Sequence, residues 1–103
     1  MKIIAVTSCP IGMAHTYMSS AALKKAAKKA GVDIKVETQG SMGIRDKITK
    51  KDIKEANVLI MAADIALIEG ERFNNIPTYK STTSKIIKNG DEVIQKAIEL
   101  VNQ

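Results

Sequence analysis

Residues 2–16 decide the fold, and they read Lys2-Ile-Ile-Ala-Val-Thr-Ser-Cys-Pro-Ile-Gly-Met-Ala-His-Thr16. The run from Lys2 to Ser8 is apolar and β-branched without clean alternation, which is typical of a parallel strand buried on both faces. Pro10 and Gly12 then break the pattern. The sequence therefore predicts a strand that ends at Cys9 and continues into a tight loop.

A helix is predicted to follow this loop, from about Ala14 to Ala30, because the apolar positions change to three- and four-residue steps. Gly31 is expected to end the helix as a left-handed cap. Near the helix start, one side is apolar and suits the docking of a partner protein. The side predicted to pack on a sheet has mostly small side chains, namely Thr16, Ser19, Leu23, Ala26, Ala27 and Ala30.

Three more strands are predicted downstream, over residues 33–38, 57–62 and 76–79. The run over 57–62 is apolar throughout, which favours a central position in the sheet. Pro77 opens the last strand and suits a sheet edge, because proline cannot donate a ladder hydrogen bond. Residues 39–43 are rich in turn formers and predict a loop.

Two further helical segments are predicted. Thr49 and Asp52 form an N-cap pair that opens a short helix through Ala56. Residues 64–75 predict a loop with at most two helical turns. Ser81 or Thr82 caps a last helical segment, which Asn89-Gly90 interrupts before Asp91 restarts it. Its apolar stripe consists of Ile94, Ala97, Ile98 and Val101.

Four strands that alternate with helices predict an α/β fold: a four-stranded parallel sheet with helices on both faces, doubly wound and Rossmann-like. The chain has 103 residues, of which 45% are hydrophobic, so residues 1–103 are expected to form a single domain. Ligands in such sheets bind at the carboxyl ends of the strands. Cys9 is predicted to lie there, with Glu37, Gln39, Gly40 and Asp64 along the same rim.

Composition narrows the class of protein. No run of about 18 apolar residues is present, and the chain start enters a strand pattern instead of a signal peptide, so a cytoplasmic protein is expected. The net charge of +5 does not favour nucleic acid as a partner, because Tyr17, Phe73 and Tyr79 are the only aromatic residues. The lysines at 24, 25, 28 and 29 form either a solvated surface or an address for an acidic partner.

The loop after the first strand supports a specific chemistry. A helix start has amides without internal partners, and these favour a thiolate at Cys9 and can hold the oxygens of a phosphoryl group. The spacing of Cys9 and His15 is similar to the Cys-x5-Arg loop of cysteine phosphatases, with histidine in the arginine position. Histidine would hold phosphate less firmly than an arginine fork, which suits a site that accepts and then releases the group. The predicted phosphate loop consists of Pro10, Ile11, Gly12, Met13, Ala14 and Thr16.

Simpler interpretations stay open on the residues alone. A lone cysteine at a strand end is often a small buried hydrophobe, and it cannot form an internal disulfide here. His15 alone is more often a hydrogen-bonding residue at a helix start than a catalytic one. The combination of strand, Cys9, Pro10, Gly12, His15-Thr16 and helix is more specific than Cys9 or His15 alone.

The segment from Ala5 to Met18 resembles the active-site segment of the fructose-type enzyme IIB domain of the bacterial phosphoenolpyruvate-dependent sugar phosphotransferase system (PTS). The resemblance extends through Lys35-Val-Glu-Thr-Gln-Gly-Ser41, Asp52-Ile, Ala62-Ala-Asp64 and Arg72-Phe73, in the same order, and so covers nearly the whole chain. Two departures stand out. Ile11 replaces a threonine that is common in the family, and Gly43-Ile-Arg-Asp-Lys replaces a small, polar loop.

This resemblance implies the following mechanism. Cys9 becomes a phosphocysteine after it attacks a phosphohistidine on a IIA partner, and the group then passes to a sugar, fructose in the first instance, bound in a membrane-embedded IIC partner. His15 assists at the site, and no metal or other cofactor takes part. Cytoplasmic location, at the inner membrane face through IIC, is implied as well. Met13, Tyr17 and Met18 are the candidate docking residues.

Two competing functions come from other classes. A small cysteine-dependent phosphatase would share the thiophosphate intermediate and let water finish the reaction, but the loop lacks the arginine fork. A regulatory module with an inert Cys9 would leave the motif unexplained.

Overall fold

A computed structural model describes residues 1–8, 13–40, 43–63, 70–73 and 76–101. At positions 13–16, 40, 43, 63 and 70 the description covers the backbone alone. Predictions made for Cys9, Pro10, Ile11, Gly12 and Asp64 therefore lie outside the described residues.

The described strands and helices follow the predicted order, with one addition. The strands are β1 (Lys2–Ser8), β2 (Asp33–Gly40), β3 (Gly43–Arg45), β4 (Val58–Ala63) and β5 (Thr78–Lys80). The helices are α1 (Met13–Ala30), α2 (Lys50–Glu55) and α3 (Thr83–Val101), with a 3-10 helix at Gly70–Phe73.

The described strands form one sheet in the order β3-β2-β1-β4-β5. Strands β1, β2, β4 and β5 are parallel, as predicted, and β5 lies at an edge. The prediction of four strands was wrong by one, because β3 adds an antiparallel edge strand to β2. The loop predicted over 39–43 was wrong in part, since Gln39 and Gly40 belong to β2 and pair with β3.

Strand β1 lies in the middle of the sheet, and its side chains are buried on both faces. Ile3 and Ala5 pack with α1 and α3, whereas Ile4 and Val6 pack on the other face with Phe73. All four side chains on β1 are inaccessible to solvent. This explains why its sequence does not alternate, and helices on both faces of the sheet are confirmed.

Helix α1 packs through the predicted small side chains. Leu23, Ala26 and Ala27 are buried against the sheet and α3, and Ser19 is buried as well. Gly31 ends the helix at a φ of 73°, the left-handed conformation that glycine adopts without strain.

Helix α3 is interrupted at the predicted place. Asn89 has φ −153° and ψ 69°, which are not helical, and its Oδ1 accepts a 3.3 Å hydrogen bond from the Glu92 amide to restart the helix. A Cβ at Gly90 would lie 3.1 Å from the Ala22 carbonyl oxygen, so the missing side chain lets α3 approach α1 closely. The start of α3 is capped by Thr82, whose Oγ1 accepts from the Lys85 amide at 3.1 Å.

Helix α2 is tied to the sheet by Asp52. The predicted capping box with Thr49 is present, and the same carboxylate accepts hydrogen bonds from Lys2 at 3.0 Å and Lys35 at 2.8 Å. The Lys35 hydrogen bond is the largest of the effects that hold the pKa of Asp52 well below its ordinary range. Asp52 therefore fixes α2 against β1 and β2.

None of the described helices combines the length and hydropathy needed to cross a membrane.

Candidate active site at the carboxyl edge of the sheet

Three parallel strands end side by side at one edge of the sheet. Ser8 at the end of β1 is in register with Gln39 on β2 and with Ala63 on β4. Ser8 is 1% exposed, and Cys9 follows it directly in the chain. The carboxyl ends of β1, β2 and β4 therefore have the arrangement in which α/β sheets bind ligands. Cys9 itself lies outside the described residues.

Helix α1 begins four residues after Cys9 in the chain, with Met13 as its first residue. The helix is 18 residues long, and its first turn contains no acidic residue. A helix start of this kind presents unpaired amides and the positive end of the helix dipole. His15 and Thr16 lie in this first turn, but their side chains are outside the description, so their roles stay predictions, as do those of Met13 and Ala14.

A buried ion pair lies below this edge, on the α2 face of the sheet. Glu37 on β2 is inaccessible to solvent, and both of its carboxylate oxygens accept from Arg72, at 2.9 and 3.0 Å. The carboxylate also accepts from the Gln39 side-chain amide at 2.7 Å and from the Ile48 backbone amide at 2.8 Å. Arg72 further donates to the Ile48 carbonyl oxygen at 3.0 Å.

Burial raises the pKa of the Glu37 carboxyl group, but the hydrogen bonds from Arg72, Gln39 and the Ile48 amide outweigh it, so the pKa lies below its ordinary value. The ion pair between Glu37 and Arg72 thus connects β2 to the 3-10 helix, which follows β4 in the chain. Glu37 and Gln39 were predicted near this edge, and they do lie there, but as buried structural groups. The partners Arg72 and Ile48 were missed as members of the network, because nothing in the local sequence pairs residues 35 positions apart.

Two of the three residues that are predicted to dock a partner are solvent-exposed in the structure, and their docking role stays a prediction. Tyr17 is 42% exposed and Met18 53% exposed, whereas the Met13 side chain is outside the description. Arg45 on β3 reaches over to Tyr17: its Nη1 donates to the Tyr17 hydroxyl oxygen, and its guanidinium carbon lies 5.7 Å from the ring centroid. Sequence reasoning noted Arg45 only as a departure from a family pattern.

Within the described part of the chain, no three His, Cys, Asp or Glu side chains lie close enough together to hold a metal ion.

The family described as "PTS system, Lactose/Cellobiose specific IIB subunit" matches residues 4–96 of the chain. The chain belongs to the PTS IIB family. The resemblance drawn from the sequence is thus confirmed, and with it the assignment to a component of a phosphotransferase system.

The relatives carry fructose-type names. The fructose-specific EIIB'BC component of Xanthomonas campestris pv. campestris is 45% identical over 94% of this chain, which spans 17% of the relative's length. The fructose-like EIIB component 1 of Escherichia coli K12 is 39% identical over 97% of this chain and 93% of its own. A solved domain of a fructose-specific IIABC component from Borrelia burgdorferi is 44% identical, with a TM-score of 0.88 over 95% of this chain and 93% of that chain.

These comparisons make the chain similar both to free IIB components and to IIB segments of longer PTS proteins. The mostly parallel sheet of this IIB domain is shared with solved relatives.

Proposed function

We propose that this IIB domain is a phosphoryl carrier, in which Cys9 receives a phosphoryl group from a phosphohistidine of a IIA partner and delivers it to a sugar, fructose in the first instance, held by a membrane IIC partner. One observation carries the proposal. Ser8 lies between Gln39 and Ala63 at the carboxyl edge, and only four residues separate it from the first turn of α1. Cys9 is the first of those four residues.

The proposed chemistry is an in-line displacement at phosphorus. The Cys9 thiolate attacks, a sulfur–phosphorus bond forms, and the phosphorus–nitrogen bond breaks with its electron pair left on the donor imidazole. In the second step a sugar hydroxyl oxygen attacks the same phosphorus, its proton goes to solvent or a base on the acceptor, and the sulfur leaves as thiolate. Position and electrostatics supply most of the catalysis in such transfers.

Helix amides are the proposed ligands of the transferred group. The start of α1 brings the positive end of an 18-residue helix, without a carboxylate in its first turn. Residues 10–14 and Thr16 are the proposed phosphate loop, and Gly12 would admit the group closest to the backbone. The domain acts without a metal or other cofactor in this proposal, in the cytoplasm or at the inner membrane face through IIC.

The test is phosphoryl labelling of the intact chain. Purified protein is incubated with phosphorylated IIA, and separately with an aryl phosphate, and the mass of the intact chain is measured. We expect one phosphoryl group per chain from IIA, located on Cys9 and absent from Cys9→Ala. No labelling of the wild type at any donor concentration would rule out the carrier function.

A phosphatase is the second candidate, and the same experiment separates it. Rapid release of phosphate from the aryl ester would favour it. The chain has two arginines, of which Arg72 pairs with the buried Glu37 and Arg45 donates to Tyr17. Neither arginine lies in the sequence of the Cys9 loop, so the loop itself does not supply the guanidinium with which a phosphatase binds phosphate.

His15 is expected to assist the transfer without holding the fold together. His15→Ala should slow labelling by about 10²-fold, the usual size of a contribution from one positioned acid, base or hydrogen-bond donor. The rate of labelling by phosphorylated IIA measures this, and the midpoint of thermal unfolding should stay within a few degrees of the wild type. A collapse of the unfolding midpoint together with normal transfer would contradict the role.

A further inference from the structure

An exposed surface on α1 combines apolar and cationic groups close to the helix start. We call Tyr17, Met18, Ala21 and Arg45 the Tyr17 surface. Tyr17 lies four residues after Met13, which is about 6 Å along the helix axis. Each of the four residues is solvent-exposed, so this surface is accessible to a docking partner in the described structure.

Arg45 and Tyr17 hold each other in place. The guanidinium donates to the tyrosine hydroxyl and lies 5.7 Å from the ring centroid, and no carboxylate among the described residues forms an ion pair with Arg45. Fixing two exposed side chains reduces the conformational entropy that a docking partner would otherwise have to remove. Tyrosine and arginine are also among the residue types that are enriched in interface hot spots.

The charge around this surface is positive. Lys24, Lys25 and Lys28 are exposed on the same helix, and no ion pair neutralises them within the described residues, whereas Lys29 pairs with Asp91. Steps of four, three and four residues lead from Tyr17 through Ala21 and Lys24 to Lys28, so these cations continue the face that Tyr17 begins. A partner with an acidic surface fits this distribution best.

The charge of the domain before and after phosphorylation favours the phosphoryl donor, and not the acceptor, as the acidic partner. An incoming donor carries a phosphoryl group with a charge of about −2, and it meets the domain before the domain is phosphorylated. Once loaded, the domain itself carries this negative charge near the start of α1, which weakens its attraction for an acidic protein. Such a change promotes release of the donor after transfer.

We propose that the Tyr17 surface docks the phosphorylated donor protein, and that Arg45, held by Tyr17, determines the affinity by contacting an acidic side chain beside the donor phosphohistidine. This proposal rests on the carrier function proposed above. Arg45 acts in docking, and the chemical step does not depend on it.

The experiment measures the rate of chain labelling against the concentration of phosphorylated IIA. Arg45→Gln should raise KM about tenfold with the maximal rate unchanged, a typical effect for one charged interface contact. Tyr17→Phe, which keeps the ring and removes the hydroxyl acceptor, should raise KM by a smaller factor. Lys96→Gln is the matched control, since it removes one exposed charge from α3 and should change KM less than about twofold.

Salt gives a second readout, because added salt should raise the wild-type KM towards that of Arg45→Gln. An unchanged KM in Arg45→Gln would overturn the proposal. The proposal would also be overturned if Arg45→Gln slowed only the second step, the transfer from the phosphorylated domain to sugar in IIC membranes. That result would assign the surface to the acceptor. A concentration-dependent dimer of the wild type that Arg45→Gln abolishes would assign it to a second copy.

The two proposals fail in different ways. If the wild type is never labelled, the carrier function is wrong. If the wild type is labelled and Arg45→Gln shows the same dependence on donor concentration, only the role of Arg45 is wrong.

Discussion

Cys9→Ser is expected to lose phosphoryl transfer from the donor by at least about 10³-fold, because losing an activated nucleophile removes most of the catalysis. Serine has nearly the shape of cysteine, so the loop and the start of α1 should be retained. Its hydroxyl ionises far less readily than a thiol, and the helix amides that favour a thiolate cannot supply that difference. The initial rate of chain labelling by phosphorylated IIA measures the effect.

Comparison with two other variants makes this result specific. Cys9→Ala should behave like Cys9→Ser, and both should unfold within a few degrees of the wild type. Labelling of Cys9→Ser at a rate near that of the wild type would mean that Cys9 is not the acceptor. If His15→Ala, added to Cys9→Ser, then abolished the labelling, the phosphoryl group would reside on the histidine instead.

Glu37→Leu is expected to destabilise the domain by about 3–5 kcal/mol, the range seen when one partner of a buried ion pair is removed. The leucine would leave the Arg72 guanidinium, whose side chain is 16% exposed, without its bidentate partner. It would also leave the Ile48 amide and the Gln39 side-chain amide without the acceptor they use now. Urea unfolding at neutral pH measures the loss.

An exposed ion pair is the matched control for Glu37. The side chains of Lys29 and Asp91 are 64% and 57% exposed, so Asp91→Asn should cost less than about 1 kcal/mol. A double replacement, Glu37→Leu with Arg72→Met, should recover much of the stability lost in the single variant, because no charge is then buried alone. Equal losses in the single and the double variants would contradict this account.

Acid should reduce the contribution of Glu37. Its pKa lies below the ordinary value of 4.5, so the carboxylate adds stability above that value and the contribution is lost as pH falls through the lower, folded pKa. The difference in unfolding free energy between wild type and Glu37→Gln should therefore shrink below pH 4.5 and should be constant near neutrality. A difference that grew on acidification would show that the pair does not depress the pKa.

The parts of the fold that were predictable depend on local signals. Residues 2–8 show the unbroken apolar run of a central strand, Gly31 supplies a left-handed cap, and Thr49 with Asp52 supplies an N-cap pair. The break at Asn89 was also visible, because asparagine followed by glycine interrupts a helical pattern. In each case a few neighbouring residues determine the backbone.

Strand β3 was missed because its sequence has no strand signal of its own. It consists of Gly43, Ile44 and Arg45, and it exists because it pairs with the end of β2. Two described contacts near the candidate site are also long-range: Glu37 with Arg72 and Tyr17 with Arg45. A single sequence contains no local pattern for such pairs, so tertiary structure is needed to find them.

Short strands at both edges of the sheet have a consequence for self-association. β3 and β5 each have three residues, and they flank the longer strands β2, β1 and β4. Long unpaired edges are templates for polymerisation, and very short edge strands are one way in which proteins avoid it. Among the described strands, the longer ones are thus enclosed, and only three-residue edges are left for pairing with the sheet of another molecule.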